Sequence, residues 1–303
     1  MLLSLMLMEH LPTVHPLNPQ HSCLIPTTSS ASAPTAWSCG RRQSERRMSK
    51  IPWCDVTVNP FPGCWHVSSG CNHCYAERQA RRLKAMGHPQ YQAVLGADGK
   101  WTGQVGRNLD AMKVPGKGKR VFVESMGDLF YEKIDGFDIH QVVASIKNQP
   151  KHTFQILTKR IERAAKYFVA YNDDLPANAW LGVTAEDQEW ADRRISILLQ
   201  IPAAVRFVSL EPLLGSVDLT RLHVDWVIVG CESGPKRRPC EMRWIADIVR
   251  DCHAVGVPVF VKQISIDGQV ERRSERIVTE LHKHIGPLSV EDVQQWPRGA
   301  NDV

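Results

Sequence analysis

From residue 53 onward, short apolar β-branched runs alternate with segments of helical period, and that alternation restricts the chain to an α/β architecture. The runs cover residues 55–58, 120–125, 152–158, 179–184, 205–210, 226–230 and 257–263. Helical spacing is expected from Tyr75 to about Met86, and over residues 138–148, 161–169, 187–199 and 243–255. In 138–148, for example, Ile139, Val142, Val143 and Ile146 fall on one face. Strands this apolar lie in a parallel sheet covered on both faces. No glycine-rich dinucleotide fingerprint follows any strand, so the expected fold is a partial or complete parallel β/α barrel of six to seven units.

Composition permits this. A chain of 303 residues that is 43% hydrophobic can bury a barrel-sized core. Residues 1–47 read differently: prolines at 12, 16, 19, 26 and 34, a Thr/Ser/Ala tract over 27–33 and a basic run over 41–47 show no sustained period. Such a segment gains too little burial to offset its ordering entropy, so a disordered tail is expected, with Met48 as the candidate true start. N-terminal sequencing of the native protein tests that start. The barrel is expected over 48–268 and a C-terminal extension, a helix plus a frayed tail, over 269–303. Residues 87–118, rich in Gly and Lys, read as an insertion or long loop.

The chemistry concentrates after the first strand. Cys64, Cys71 and Cys74 are spaced C-x6-C-x2-C, directly behind the turn-rich Asn59-Pro60-Phe61-Pro62-Gly63. Three thiolates can hold a 4Fe–4S cluster and leave one iron open to a ligand, whereas a fourth would close the site. Nine cysteines, three of them bunched, point to a metal or redox site in a reducing compartment, hence a cytoplasmic location. No apolar run approaches the roughly 18 residues of a membrane span. The apolar residues 1–8 lack a basic leader and match a signal peptide poorly.

In a parallel barrel the active site lies at the strands' carboxyl ends. Those ends carry Ser125-Met126-Gly127-Asp128, Thr158-Lys159-Arg160, Thr184-Ala185-Glu186-Asp187, Ser209-Leu210-Glu211-Pro212, Gly230-Cys231-Glu232-Ser233-Gly234 and Lys262-Gln263. Helix capping accounts for Thr184 or Asp187 as readily as function does. Glu211 and Glu232, directly after apolar runs, are harder to read as caps.

With these residues in hand, the chain resembles the phage and prophage three-cysteine-motif proteins, the "Gp thirty-seven/sixty-eight" family, which look related to radical S-adenosylmethionine enzymes. The matching segments include Gly70-Cys71-Asn72-His73-Cys74-Tyr75-Ala76-Glu77 and residues 51–55, 125–130, 152–160, 180–183, 206–215 and 225–230. Two positions depart from the family pattern: Cys54 stands where Thr is commoner and Cys231 where Gly is commoner. The resemblance implies a 4Fe–4S cluster on Cys64, Cys71 and Cys74, S-adenosylmethionine as cofactor, and a 5′-deoxyadenosyl radical that abstracts hydrogen from an unidentified substrate. It further implies that Met126, Gly127 and Asp128 meet the methionine ammonium. Lys159 then faces a carboxylate or phosphate, and Thr184 and Glu186 the ribose hydroxyls. Glu211 and Glu232 orient cofactor or substrate, and Cys231 is a candidate hydrogen donor. Such an enzyme needs an electron-donor protein.

Two other classes stay open. Cys54, Cys64, Cys71 and Cys74, or three of them with His66 or His73, suit a closed zinc site in a non-catalytic barrel that serves as an interaction module. The basic stretches over 113–120 and 236–238, with Trp101 and Trp244 for stacking and a net charge of +5, suit nucleic acid, as a bound partner or as the substrate.

Overall fold

The computed structural model describes residues 51–220 and 223–297. The tail expected over 1–47, with its candidate start at Met48, lies outside them. Seven strands run parallel in strict sequence order: β1 (Val56–Val58), β2 (Arg120–Val123), β3 (Thr153–Thr158), β4 (Ala179–Thr184), β5 (Arg206–Leu210), β6 (Trp226–Gly230) and β7 (Val259–Ile266). An eighth, β8 (Gln269–Glu271), folds back antiparallel on β7. The sheet is therefore mostly parallel, as the alternation predicts, and the antiparallel β8 makes it eight-stranded, one more than the six to seven units expected. Among the described residues no pairing joins β1 to β7, so the seam between them is open in hydrogen-bonding terms.

Helices α1 (Tyr75–Ala85), α2 (Gly136–Lys147), α3 (Ile161–Tyr171), α4 (Gln188–Leu198) and α5 (Met242–Val255) follow β1, β2, β3, β4 and β6. Local chemistry sets their ends. Asp135 and Asp187 accept the backbone N–H groups of Asp138 and Trp190 and so cap α2 and α4, while Gly256 stops α5 at φ +70°. Asp187 is thus a cap.

The strands alternate with period two, and each parity builds one layer. Val121, Val123, Phe154, Ile156, Leu181, Val183, Val227, Val229, Val259 and Val261 pack outward with Ile139, Ile146, Ala164, Leu198 and Ile245 of the helices. The opposite parity turns Phe122, Trp180, Phe207, Trp226, Ile228 and Phe260 inward around Trp53. The Trp53 ring lies 4.7 Å from Phe122 on β2 and 6.3 Å from Trp226 on β6. In a flat sheet those strands would stand about 19 Å apart at the usual spacing, so one indole reaching both shows a tightly rolled sheet.

The C-terminal segment departs from the expected frayed tail. Helix α6 (Ser274–Ile285) buries Ile277 and Leu281, and a short helix α7 (Val290–Val293) follows. Beyond it, the Gln295 N–H donates to the Val259 carbonyl at 2.9 Å, and the Trp226 indole N–H donates to the Gln295 carbonyl at 2.8 Å. Trp296 meets Phe260 edge to face at 5.0 Å and lies under the Arg120 guanidinium at 4.8 Å. Residues 87–118 are also more than a solvated loop, because Tyr91, Val94, Leu95 and Trp101 are buried against Ala76 and Ala80 of α1.

Candidate functional site

Above the aromatic layer the inward rows turn polar, three of them through a small residue (Trp180-Gly182-Thr184, Phe207-Ser209-Glu211 and Trp226-Ile228-Gly230-Glu232) and two directly (Phe122-Glu124 and Phe260-Lys262). Together they line a cavity of about 1120 Å³, counting its open mouth, at the strands' carboxyl ends. Cys64, Cys71, Cys74, Gly127, Asp128, Lys159, Thr184, Glu211, Cys231 and Glu232 all border it. Two of the residues expected there do not: Met126 is buried against Ala76 and Ala80 of α1, and Glu186 lies beneath the wall, fully buried.

The cysteine loop is pinned by charges. Arg160 donates to Cys64 Sγ at 3.7 Å, to the Trp65 carbonyl at 2.9 Å and to Asp128 at 3.1 Å. Asp128 also accepts from the Thr158 hydroxyl at 2.7 Å and the Lys159 N–H at 3.1 Å, so its carboxylate is taken up in aiming Arg160. Ser68 donates to Glu186 at 2.6 Å, and Glu186 also receives Lys159 Nζ and, at 3.0 Å, Arg194. Burial alone would raise Glu186, but the Lys159 and Arg194 charges hold it below its ordinary value. On the other side Glu232 receives Arg238 and the His73 ring at 3.0 Å, while Arg238 donates to the Ser69 carbonyl at 2.9 Å. His66 turns to Glu77, which also takes the Trp101 N–H.

These contacts leave neither histidine directed at the thiols. Cys54 packs in the aromatic floor, apart from the cluster that holds Cys64 and Cys74. Among the described residues no three His, Cys, Asp or Glu side chains, Cys64, Cys71 and Cys74 included, stand close enough to share one ion. A four-iron cluster makes a different demand, because each of its thiolates takes a different iron. Three observations suit that group. All three thiols face one cavity. Burial pushes Cys64 up to about 12 against the Arg160 guanidinium, and raises Cys74 against the Ala76 and Glu77 N–H groups that open α1. Thiols so placed ionise readily only beside a cation, and soft sulfur donors select iron–sulfur clusters, zinc or copper.

Glu124 is the residue the sequence reading missed. It sits at φ +62°, a backbone region that residues other than glycine rarely adopt, and its carboxyl is fully buried at the cavity wall. Oε1 accepts the Phe61 N–H at 2.6 Å, while Oε2 has no hydrogen-bond partner among the described residues. A Cβ on Gly127 would meet that Oε2 at 2.7 Å, so glycine is required there. Its available signal was a lone acid directly after the apolar run 121–123, the same signal that drew attention to Glu211 and Glu232. Burial, helped by the Asp128 charge, raises Glu124 from 4.5 to about 8. The folded state then binds a proton that the unfolded chain has released between those values, so stability falls as pH rises through that window. Glu124→Gln is expected to remove a fall of a few kcal/mol. Urea unfolding at about pH 5 and about pH 8 measures it, and equal slopes in both proteins refute it.

Of the two expected stacking rings, Trp101 is not available, whereas Trp244 keeps part of its surface exposed. Trp101 is buried under α1's neighbours, and Trp244 packs on the main core. Lys262, noted only as a strand end, forms an ion pair with Glu211 at 2.9 Å inside the cavity. No helix among the described residues is long and apolar enough to cross a membrane.

Fold and site together define a class: an α/β protein with a rolled, mostly parallel sheet and a thiol loop closing over the strands' carboxyl ends. The chain belongs to the DUF5131 family, described as a protein of unknown function, whose family model matches residues 48–285. No curated protein matches it. Similar solved structures include a cysteine-to-alanine mutant of spore photoproduct lyase with dinucleoside spore photoproduct. It is 13% identical over 81% of this chain and 75% of that one, with a TM-score of 0.41. A double mutant of the same lyase with bound AdoMet and dinucleoside spore photoproduct is 12% identical over 81% and 76%, with a TM-score of 0.40.

Proposed function

We propose that this chain is a radical S-adenosylmethionine-like iron–sulfur enzyme, with Cys64, Cys71 and Cys74 as cluster ligands and a substrate that enters the same cavity. One observation carries the reading: the three thiols of the motif share a cavity with polar residues drawn from six strand ends, above a floor with no polar lining. Cys64, Cys71 and Cys74 would hold the cluster, which would supply one-electron reducing chemistry to S-adenosylmethionine in the same cavity.

The protein's own part is to hold, aim and exclude water. Arg160 fixes Cys64, and the Ser68–Glu186 and His73–Glu232 contacts fix the loop that carries Cys71 and Cys74. Gly127 allows close backbone approach at the wall, while Asp128 acts through Arg160. Thr184, Lys159 and Glu211 border the space for cofactor and substrate. Cys231, buried in the wall with its thiol pushed up to about 11, is the candidate hydrogen donor. Glu232 acts by position, because Arg238 and His73 occupy its oxygens. A reducing partner protein and a cytoplasmic setting belong to the same proposal, as does kinship with phage proteins, which rests on the segments quoted above.

Anaerobic purification with iron and sulfide analysis, then dithionite and S-adenosylmethionine with an assay for 5′-deoxyadenosine, tests this. A brown protein that forms 5′-deoxyadenosine is expected. A colourless protein with stoichiometric zinc ends the reading.

A further inference from the structure

Just outside one edge of the cavity lies a turn crowded with guanidinium groups. Glu232 and Ser233 line the cavity, and the turn continues into Gly234 at φ +119°. A Cβ there would collide with Arg78 Nη1, so the Arg78 guanidinium, rising from α1, lies against this turn. Arg237 donates to the Gly234 carbonyl at 2.8 Å and reaches Gly268 in the β7–β8 turn. Arg238 clasps Glu232 and the Ser69 carbonyl. Arg272 follows β8 directly, three residues after Gln269, whose side-chain oxygen accepts from Arg237 at 3.3 Å.

Four arginines from three separate segments thus converge on one edge. Two are held by partners within the fold. Arg78 and Arg272 are exposed and form no ion pair among the described residues, and the same holds for exposed Lys236 on the turn. The acids nearby are already engaged: Glu232 by Arg238 and His73, Glu271 by Arg273. Unpaired like charges crowded on one edge oppose each other, and a fork of N–H donors matches the oxygens of a phosphate. Elsewhere on the same cysteine loop Trp65 is 54% exposed, an uncovered indole face of the kind on which a nucleobase stacks.

We propose that this edge holds the phosphodiester backbone of a nucleic-acid strand, so that the substrate of the cavity is a nucleotide within a polynucleotide. As an account of the substrate this rests on the enzymatic reading above, whereas the binding itself does not.

The test is fluorescence polarisation of the full chain, as purified, with a labelled single-stranded DNA oligomer, a labelled mononucleotide as the second probe, and a salt titration. The oligomer should bind at least about tenfold more tightly than the mononucleotide, with affinity falling steeply with salt. The double variant Arg78→Ala, Arg272→Ala should lose at least about tenfold in affinity and about 1.4 in the slope of log K against log salt, near 0.7 per lost phosphate contact. Trp65→Ala should weaken the oligomer without changing that slope. Lys283→Ala, on α6 and paired with Glu280, should change nothing. A wild-type slope in the double variant, or equal affinity for the mononucleotide, overturns the proposal. Iron content and 5′-deoxyadenosine formation are measured on the same preparations. Loss of DNA binding with the cluster intact therefore sinks the binding edge alone, and DNA binding without a cluster sinks only the radical reading.

Discussion

Cys71→Ala is expected to abolish iron retention and S-adenosylmethionine cleavage, a loss of more than the roughly hundredfold that changing an outer-shell partner of a metal site costs. Cys54→Ala is expected to keep both. The contrast follows from placement. Cys71 lies on the loop between Ser68 and His73, two residues whose contacts to Glu186 and Glu232 dock that loop over the cavity. Cys54 is buried among the floor aromatics. Iron analysis of both variants beside wild type decides it, and equal depletion in the two makes Cys54 a fourth ligand and closes the site.

Trp226→Ala should cost about 3–5 kcal/mol of stability, the usual range for emptying a buried aromatic position. Its ring is fully buried and lies 5.6 Å from Phe207, 5.9 Å from Trp180, 6.3 Å from Trp53 and 6.4 Å from Phe260. Four neighbours on different elements cannot all move into the same hole, so little of the cavity collapses. Its N–H also holds the Gln295 carbonyl, which fastens the C-terminal segment. Trp226→Phe keeps most of the ring contacts and loses that bond, so about 1 kcal/mol is expected. Urea unfolding measures both. An alanine variant within about 1 kcal/mol of wild type would mean the aromatic layer does not support the roll of the sheet.

Much of this was legible in the chain. All seven parallel strands fall within three residues of the runs read from composition and period, because parallel strands buried on both faces must be apolar along their whole length. The polar strand ends were legible for the same reason: an acid that directly follows such a run, as Glu211 and Glu232 do, interrupts the pattern. Glu124 shows where this fails. It was counted as the continuation of a strand, and only its left-handed backbone and buried carboxyl, both set by the turns around Gly63 and Gly127, reveal it. Pairings across long sequence distances were equally out of reach. Nothing in residues 294–296 signals that they lie along β7, and nothing local to Ser68 points to a carboxylate 118 residues away. Trp101 misled for a related reason, since its burial depends on how the 87–118 segment folds back on α1.

The aromatic floor has a kinetic corollary. Trp53, Phe122 and Leu157 line the base of the cavity, so a molecule seated on them lies deeper than the polar strand ends. Were two ligands to share that chamber, the deeper one would have to arrive first and depart last.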